Sequence, residues 1–203
     1  MNQSPIEQAS ISKPQKNYQP QDRREVGRKE LIDGRVSHKP ASDRWTNIIT
    51  SNLIIALGTR IQRANCEIYA GDMQVEVGKT SVCYPNVVVV NGEPQFENGR
   101  GEVLNNPTLV VEVVSSAGRS TEGMRKVEGF LAIPSIKEFL LVNQNELRIE
   151  HYTKQSQKQW MYRIYDQRED VISLDSIACK VSLVEIYTQV KLGVSELSSK
   201  AVN

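Results

Sequence analysis

Apolar positions recur along this chain with several distinct spacings. In RWTNIITSNLIIALGTRIQ, Trp45, Ile48, Ile49, Leu53, Ala56 and Leu57 fall on one face at helical spacing, which predicts an amphipathic helix over about 44–63. CEIYAGDMQVEV alternates instead, with Met73, Val75 and Val77 set against Gln74 and Glu76. Period two predicts one strand interrupted at Ala70-Gly71, or two short ones. VCYPNVVVV and TLVVEVVSS are near-continuous apolar runs, the pattern of strands buried on both faces. RSTEGMRKVEGFLAI reads as a second helix, capped by Ser120 or Thr121 and stopping before Pro134. KEFLLVNQ, LRIEHYTK and KQWMYRIY read as three further strands, the first two joined by a turn around Asn143–Glu146. KELIDGRVSHK, with Asp33-Gly34 at its centre, predicts a small hairpin. GEPQFENGRGEVLNNP is loop by composition, and VISLDSIACKVSLVEIYTQV predicts a strand and a short closing helix. The expected class is a mixed α/β single domain with a central sheet flanked by helices.

Composition trims this picture. Among 203 residues, 25 Lys and Arg stand against 24 Asp and Glu, a net charge of +1. That excludes a basic shell over the whole molecule but leaves room for a local basic groove. Residues 1–28 are rich in Gln, Ser, Pro and charge and predict a disordered polar tail; 29–192 form the single domain, and 193–203 a frayed end. Cys66, Cys83 and Cys179 stand far apart without a C-x-x-C pair, which supports neither a zinc ribbon nor a disulfide framework. No apolar run approaches the roughly 20 residues a membrane helix needs. MNQSPIEQAS has neither a positive nor an apolar signal region, so a cytoplasmic location without membrane contact is expected.

Three places carry candidate chemistry. Glu112 interrupts Leu109-Val110-Val111-Glu112-Val113-Val114, where a carboxylate is costly unless it is paired or bound to a metal. Strand alternation points it with Val110 and Val114. The plainer reading is an acid near a strand end that faces solvent or pairs with a lysine. Glu122, Lys126 and Phe130 share one face of the second helix, while Met124, Val127 and Leu131 form its expected core stripe. Tyr84-Pro85-Asn86 opens a valine run, with Asn86 either projecting near the sheet end or serving as a turn residue. His38 and His151 are far apart, and His151 reads as a strand-surface residue. No phosphate-binding glycine loop and no G-x-S-x-G elbow is present.

These residues, in their order, resemble the Uma-two family of restriction-endonuclease-like proteins, in the PD-(D/E)xK nuclease superfamily. The resemblance runs from about Lys29 to about Tyr152. It is carried by Glu30-Leu31-Ile32-Asp33-Gly34-Arg35, Asp72-Met73-Gln74-Val75, Tyr84-Pro85-Asn86-Val87 and Pro107-Thr108-Leu109-Val110-Val111-Glu112-Val113-Val114-Ser115. Ser120-Thr121 with Lys126 and Phe130, and Ile133-Pro134-Ser135-Ile136-Lys137-Glu138-Phe139, complete it.

The resemblance implies a restriction-endonuclease-like core ordered α-β-β-β-α-β with extra C-terminal strands. It implies a Mg²⁺ or Mn²⁺ site built from Glu112 and the residue after Pro85, with a lysine that steadies the phosphate. The usual lysine position, two residues after the glutamate, is Val114 here, so the resemblance points to Lys126. Asn86 stands where the family has Asp, Thr46 where it has His, Glu122 where it has Asp, and Phe130 where it has Tyr. Asp72 is the candidate compensating carboxylate. Implied partners are DNA and a second copy of the chain in a homodimer. Two functions stay open: a metal-dependent endonuclease using Glu112, Lys126 and Asn86, or a catalytically inactive member that binds nucleic acid or protein.

Overall fold

The computed structural model describes residues 28–32, 34–39, 41–61, 65–78, 81–97, 101–115 and 120–193. Except for Arg28 and Gly193, the tails expected over 1–28 and 193–203 lie outside the described residues, as does Asp33 of the expected turn.

A hairpin comes first: β1 (Arg28–Ile32) pairs antiparallel with β2 (Arg35–Lys39), with Arg28 opposite Lys39 and Glu30 opposite Ser37. Gly34 takes φ of 74° between them, a conformation open to glycine at no steric cost. Helix α1 (Arg44–Ile61) buries Trp45, Ile49, Leu53, Ala56, Leu57 and Ile61, the predicted face extended by one turn. The alternating segment divides into β3 (Cys66–Ala70) and β4 (Gln74–Glu76), and the next apolar run into β5 (Val82–Cys83) and β6 (Val87–Asn91). The expected loop contains a two-residue strand, β7 (Val103–Leu104), which pairs parallel to β4 because Leu104 is fully buried there. Then come β8 (Leu109–Val114), α2 (Thr121–Ala132), β9 (Glu138–Asn143), β10 (Ile149–Ser156) and β11 (Gln159–Tyr165). Ser120 caps α2 by accepting the Gly123 N–H. The final segment holds two strands, β12 (Val171–Leu174) and β13 (Cys179–Ser182), before α3 (Leu183–Ile186). The turn between those strands ends on Ala178 at φ of 49° and carries neither Gly nor Pro, so composition did not mark it.

The central sheet runs β11-β10-β9-β8-β6-β3. Only the β8–β9 pair in it is parallel, joined by α2 as a crossover. A smaller sheet runs β2-β1-β5-β4-β7. Side-chain alternation splits the core in two. Val87, Val89, Leu109, Val111, Val113 and Leu140 face α1, α3 and the β12–β13 pair. Val88, Val90, Val110, Phe139 and Leu141 face α2 and the smaller sheet. Among the described residues, no helix is long and apolar enough to cross a membrane.

Two expectations about side chains change. Phe130 stacks on Phe139 at 5.7 Å and is fully buried, so with Val127 it forms the core stripe of α2, while Met124 is exposed. His151 is buried rather than on the surface, with Nε2 3.0 Å from Glu138 Oε1. Ser176, in the β12–β13 connection, donates its N–H to the same carboxylate and covers that end of the sheet.

Helix α2 packs against the smaller sheet through Gly129, where a Cβ would lie 2.5 Å from Val77 Cγ1. Gly129→Ala is therefore expected to lower stability. Overpacking costs about 1–3 kcal/mol, against a helix-propensity gain of about 1 kcal/mol. Urea unfolding measures the net loss, and Val77→Ala in the same chain is expected to recover part of it.

Candidate functional site

Strand β8 is buried on both faces, and alternation turns Glu112 toward α2, on the side shared with Val110. Only a cation can make that burial tolerable, and two are present. Lys126 of α2 brings Nζ within 2.7 Å of Glu112 Oε1, and Lys39 of β2 brings Nζ within 3.5 Å of Oε2. The first contact is a close, buried ion pair.

A second carboxylate completes the cluster. Glu30 of β1 receives Lys126 on both oxygens, at 2.8 and 3.0 Å, and accepts the Tyr84 N–H at 2.8 Å. Lys39 donates to the Tyr84 carbonyl. The residue before Pro85 is thus gripped at both backbone groups by the β1–β2 hairpin. Two carboxylates and two ammoniums cancel in charge.

The electrostatics follow from burial and pairing. Burial alone would push the Glu112 carboxyl up, but the ammoniums of Lys126 and then Lys39 outweigh it and hold it below the ordinary carboxylate range. Burial would lower the Lys126 ammonium, and Glu112 and Glu30 together raise it above the usual lysine value. The neighbouring Cys83 thiol is pushed up to about 12, chiefly by burial, and stays neutral.

Asn86 reaches the same place from the turn before β6. Its Oδ1 accepts the Val113 N–H at 3.0 Å, and its Nδ2 faces Thr50 Oγ1 at 3.5 Å. Val87 lies opposite Val111, so the β6–β8 register sets Pro85 opposite Val113. The amide side chain extends the ladder at that point.

Glu112, Asn86 and Lys126 line one cavity of about 500 Å³, with Glu30, Lys39 and Thr46. Asp72 does not join them. It sits between β3 and β4, is 81% exposed, pairs with Arg28 and lines a different, shallow depression. It does not line the cavity that holds Glu112, which removes it as a compensating ligand there. Glu122 accepts the Ser37 hydroxyl instead of pairing with Lys126. The Thr46 hydroxyl donates to Gln144, whose Nε2 donates to Asp43 Oδ2 at 2.7 Å, while Asp43 Oδ1 caps the Thr46 N–H at 2.8 Å. Sequence reasoning missed the roles of Glu30 and Lys39. Cross-strand neighbours share a face, and the hairpin spacing already put Glu30 opposite Ser37 and Lys39 opposite Arg28 on one polar side.

Among the described residues, no three Asp, Glu, His or Cys side chains are grouped to hold a metal. The donors are the Glu112 carboxylate, which the two lysines hold, and Asn86 Oδ1, which already accepts the Val113 N–H. A hard divalent ion bound through one carboxylate, waters and a substrate phosphate fits this set, held weakly.

The family model described as "Uma2: Putative restriction endonuclease" matches residues 16–185. An uncharacterized protein of Synechocystis, sll1609, is 31% identical over 133 residues, covering 65% of this chain and 75% of its own length. A second, slr1290 from the same organism, is 23% identical over 158 residues, covering 78% and 82%. A crystal structure described as a putative nuclease belonging to DUF820, from Anabaena variabilis, superposes with a TM-score of 0.67. It is 17% identical and covers 80% of this chain and 91% of its own, a likeness of fold.

Removing Lys126 leaves two buried carboxylates side by side. Lys126→Met is expected to cost about 3–5 kcal/mol in urea unfolding. The double variant Lys126→Met/Glu112→Leu, which leaves one buried carboxylate instead of two, is expected to cost less. Glu112 carries a depressed value, so its stabilisation is complete above the ordinary carboxyl value of 4.5 and is lost as pH falls through the depressed one. Glu112→Gln should flatten that acid limb.

Proposed function

The chain belongs to the Uma2 family of restriction-endonuclease-like proteins, and from that premise we propose that its cavity is a weakened centre for hydrolysis of DNA phosphodiester bonds, of the PD-(D/E)xK type. The observation that carries this reading is the meeting of three side chains from separate elements. Glu112 from β8, Lys126 from α2 and Asn86 from the turn before β6 line one cavity.

Glu112 and Asn86 are the residues that would hold Mg²⁺ or Mn²⁺, which when bound supplies Lewis acidity toward the phosphate and a more acidic water. The chain's own groups divide the remaining work. Lys126 is the cation that offsets charge building on the phosphate oxygens. Glu30 keeps that ammonium aimed, since it receives Lys126 on both carboxylate oxygens. Glu112 stays ionised at neutral pH because Lys126 and Lys39 outweigh its burial. Asn86 lends no negative charge, and its one carbonyl oxygen is already engaged by Val113. Metal affinity, rather than the placement of Lys126, therefore limits the reaction.

A second reading rests on the same two details. With Asn86 Oδ1 engaged and Glu112 neutralised by two lysines, the cleft retains DNA or a protein partner without cutting it.

Plasmid cleavage with Mg²⁺ or Mn²⁺ separates the two. The wild type is expected to cut slowly and only with metal, and Glu112→Ala to abolish cutting. Asn86→Asp is expected to raise the rate at limiting metal by about tenfold or more, the change that roughly 1.4 kcal/mol of added metal binding produces. A wild type that never cuts while Asn86→Asp does supports the non-cleaving reading. Silence from both overturns the nuclease proposal.

A further inference from the structure

Lys39 occupies a position made of oxygens. Its Nζ lies 3.5 Å from Glu112 Oε2 and donates to the Tyr84 carbonyl, and its side chain is 14% exposed. Tyr84 immediately precedes Pro85-Asn86, so that carbonyl belongs to the turn that presents Asn86. The carboxylate lines the cavity, and both it and a peptide carbonyl are hard donors, the class that holds divalent magnesium or manganese. An ammonium is seated on them instead.

The two lysines at Glu112 are not equivalent. Lys126 touches Oε1 at 2.7 Å and is also gripped by both oxygens of Glu30. Lys39 has the longer contact and sits at the end of β2, the edge strand of the smaller sheet. Withdrawing its side chain breaks no ladder of the central sheet. Its charge also decides the balance of the cluster: with it Glu30, Glu112, Lys39 and Lys126 sum to zero, and without it the cluster is anionic.

We infer that Lys39 is a resident cation at Glu112 that competes with a divalent ion for the carboxylate, so that the cleft takes up metal only when Lys39 is displaced. This deepens the proposed function and rests on it only in treating Glu112 as a metal-binding carboxylate. It does not require that DNA be cut. Lys39 here acts through Glu112 and is a positioning residue.

The test is Mn²⁺ binding to the purified full chain, read by calorimetry and by the loss of the free-ion paramagnetic resonance signal. Lys39→Met removes the charge and keeps the length. It is expected to bind Mn²⁺ about tenfold or more tightly than the wild type, within the range that neighbouring groups shift metal affinity. Lys39→Arg is expected to bind like the wild type. Lys39→Met/Glu112→Gln should lose the gain. Should Lys39→Met not fold, as judged by circular dichroism, Lys39→Gln is read in the same way.

Unchanged or weaker binding in the neutral variant overturns the inference, as does a gain that survives Glu112→Gln. Plasmid cleavage on the same preparations separates this outcome from that of the nuclease reading. Tighter Mn²⁺ binding with no cutting by any variant sinks the nuclease and leaves Lys39 as the competing cation. Metal-dependent cutting with equal affinities does the reverse.

Discussion

A buried carboxylate at Glu112 is the constraint around which the site-bearing half of the molecule is organised. Its strand is covered on both faces and its side chain is nearly fully buried, so the charge is met chiefly from within the protein. The two ammoniums that meet it come from α2 and from β2. A second acid, Glu30, then ties β1 to the same lysine and to the backbone of Tyr84. Four elements remote in sequence are locked together by one residue's need for compensation. Such a cluster adds little net stability compared with an apolar replacement, but breaking it is costly. Its value is in specificity: it admits one docking of the hairpin and α2 on the sheet.

The alternation of strand faces decides which helix receives that charge. Val111 and Val113 turn toward α1, whose buried face is wholly apolar and offers no cation. Glu112 turns the other way, toward α2. A one-residue slip in the register of β8 would bury the carboxylate against Ile49, Leu53 and Leu57 with no partner. The parallel β8–β9 pair sets the other boundary, because the crossover it requires is α2 itself, which carries Lys126 back over the end of the strand.

Much of this was legible in the residues, and for identifiable reasons. Long apolar periodicities reported α1, β8 and β9 because burial on a helix face or on both sheet faces leaves a dense pattern. The side of the sheet that Glu112 takes followed from period two alone. What was hidden was pairing at long range. Nothing local in RVSHK tells that Lys39 ends beside Glu112, and nothing local in IEHYTK tells that His151 is covered by the Ser176 connection. Phe130 misled for a related reason. Its place at Lys126 plus four suggested a shared functional face, but docking on Phe139 rotated the buried stripe of α2 by one position. β7 and the β12–β13 turn were missed because two-residue strands and an alanine turn leave no compositional mark.

At Asn86 the framing duty of a side chain can be told apart from its charge. The structural duty of the side chain is to accept the Val113 N–H where the β6–β8 register reaches a proline. Either an amide oxygen or a carboxylate oxygen performs that duty equally well. The second atom of the head group is where the two residues part. In aspartate it is another anionic oxygen, free to take a cation. In asparagine it is an NH₂ donor, which here faces the Thr50 hydroxyl. Exchange between the two keeps the acceptor for Val113 and replaces the NH₂ donor with a second anionic oxygen beside Glu112. On the inference that Lys39 competes with a divalent ion, the balance between ammonium and metal at this one carboxylate is what a working centre would turn on.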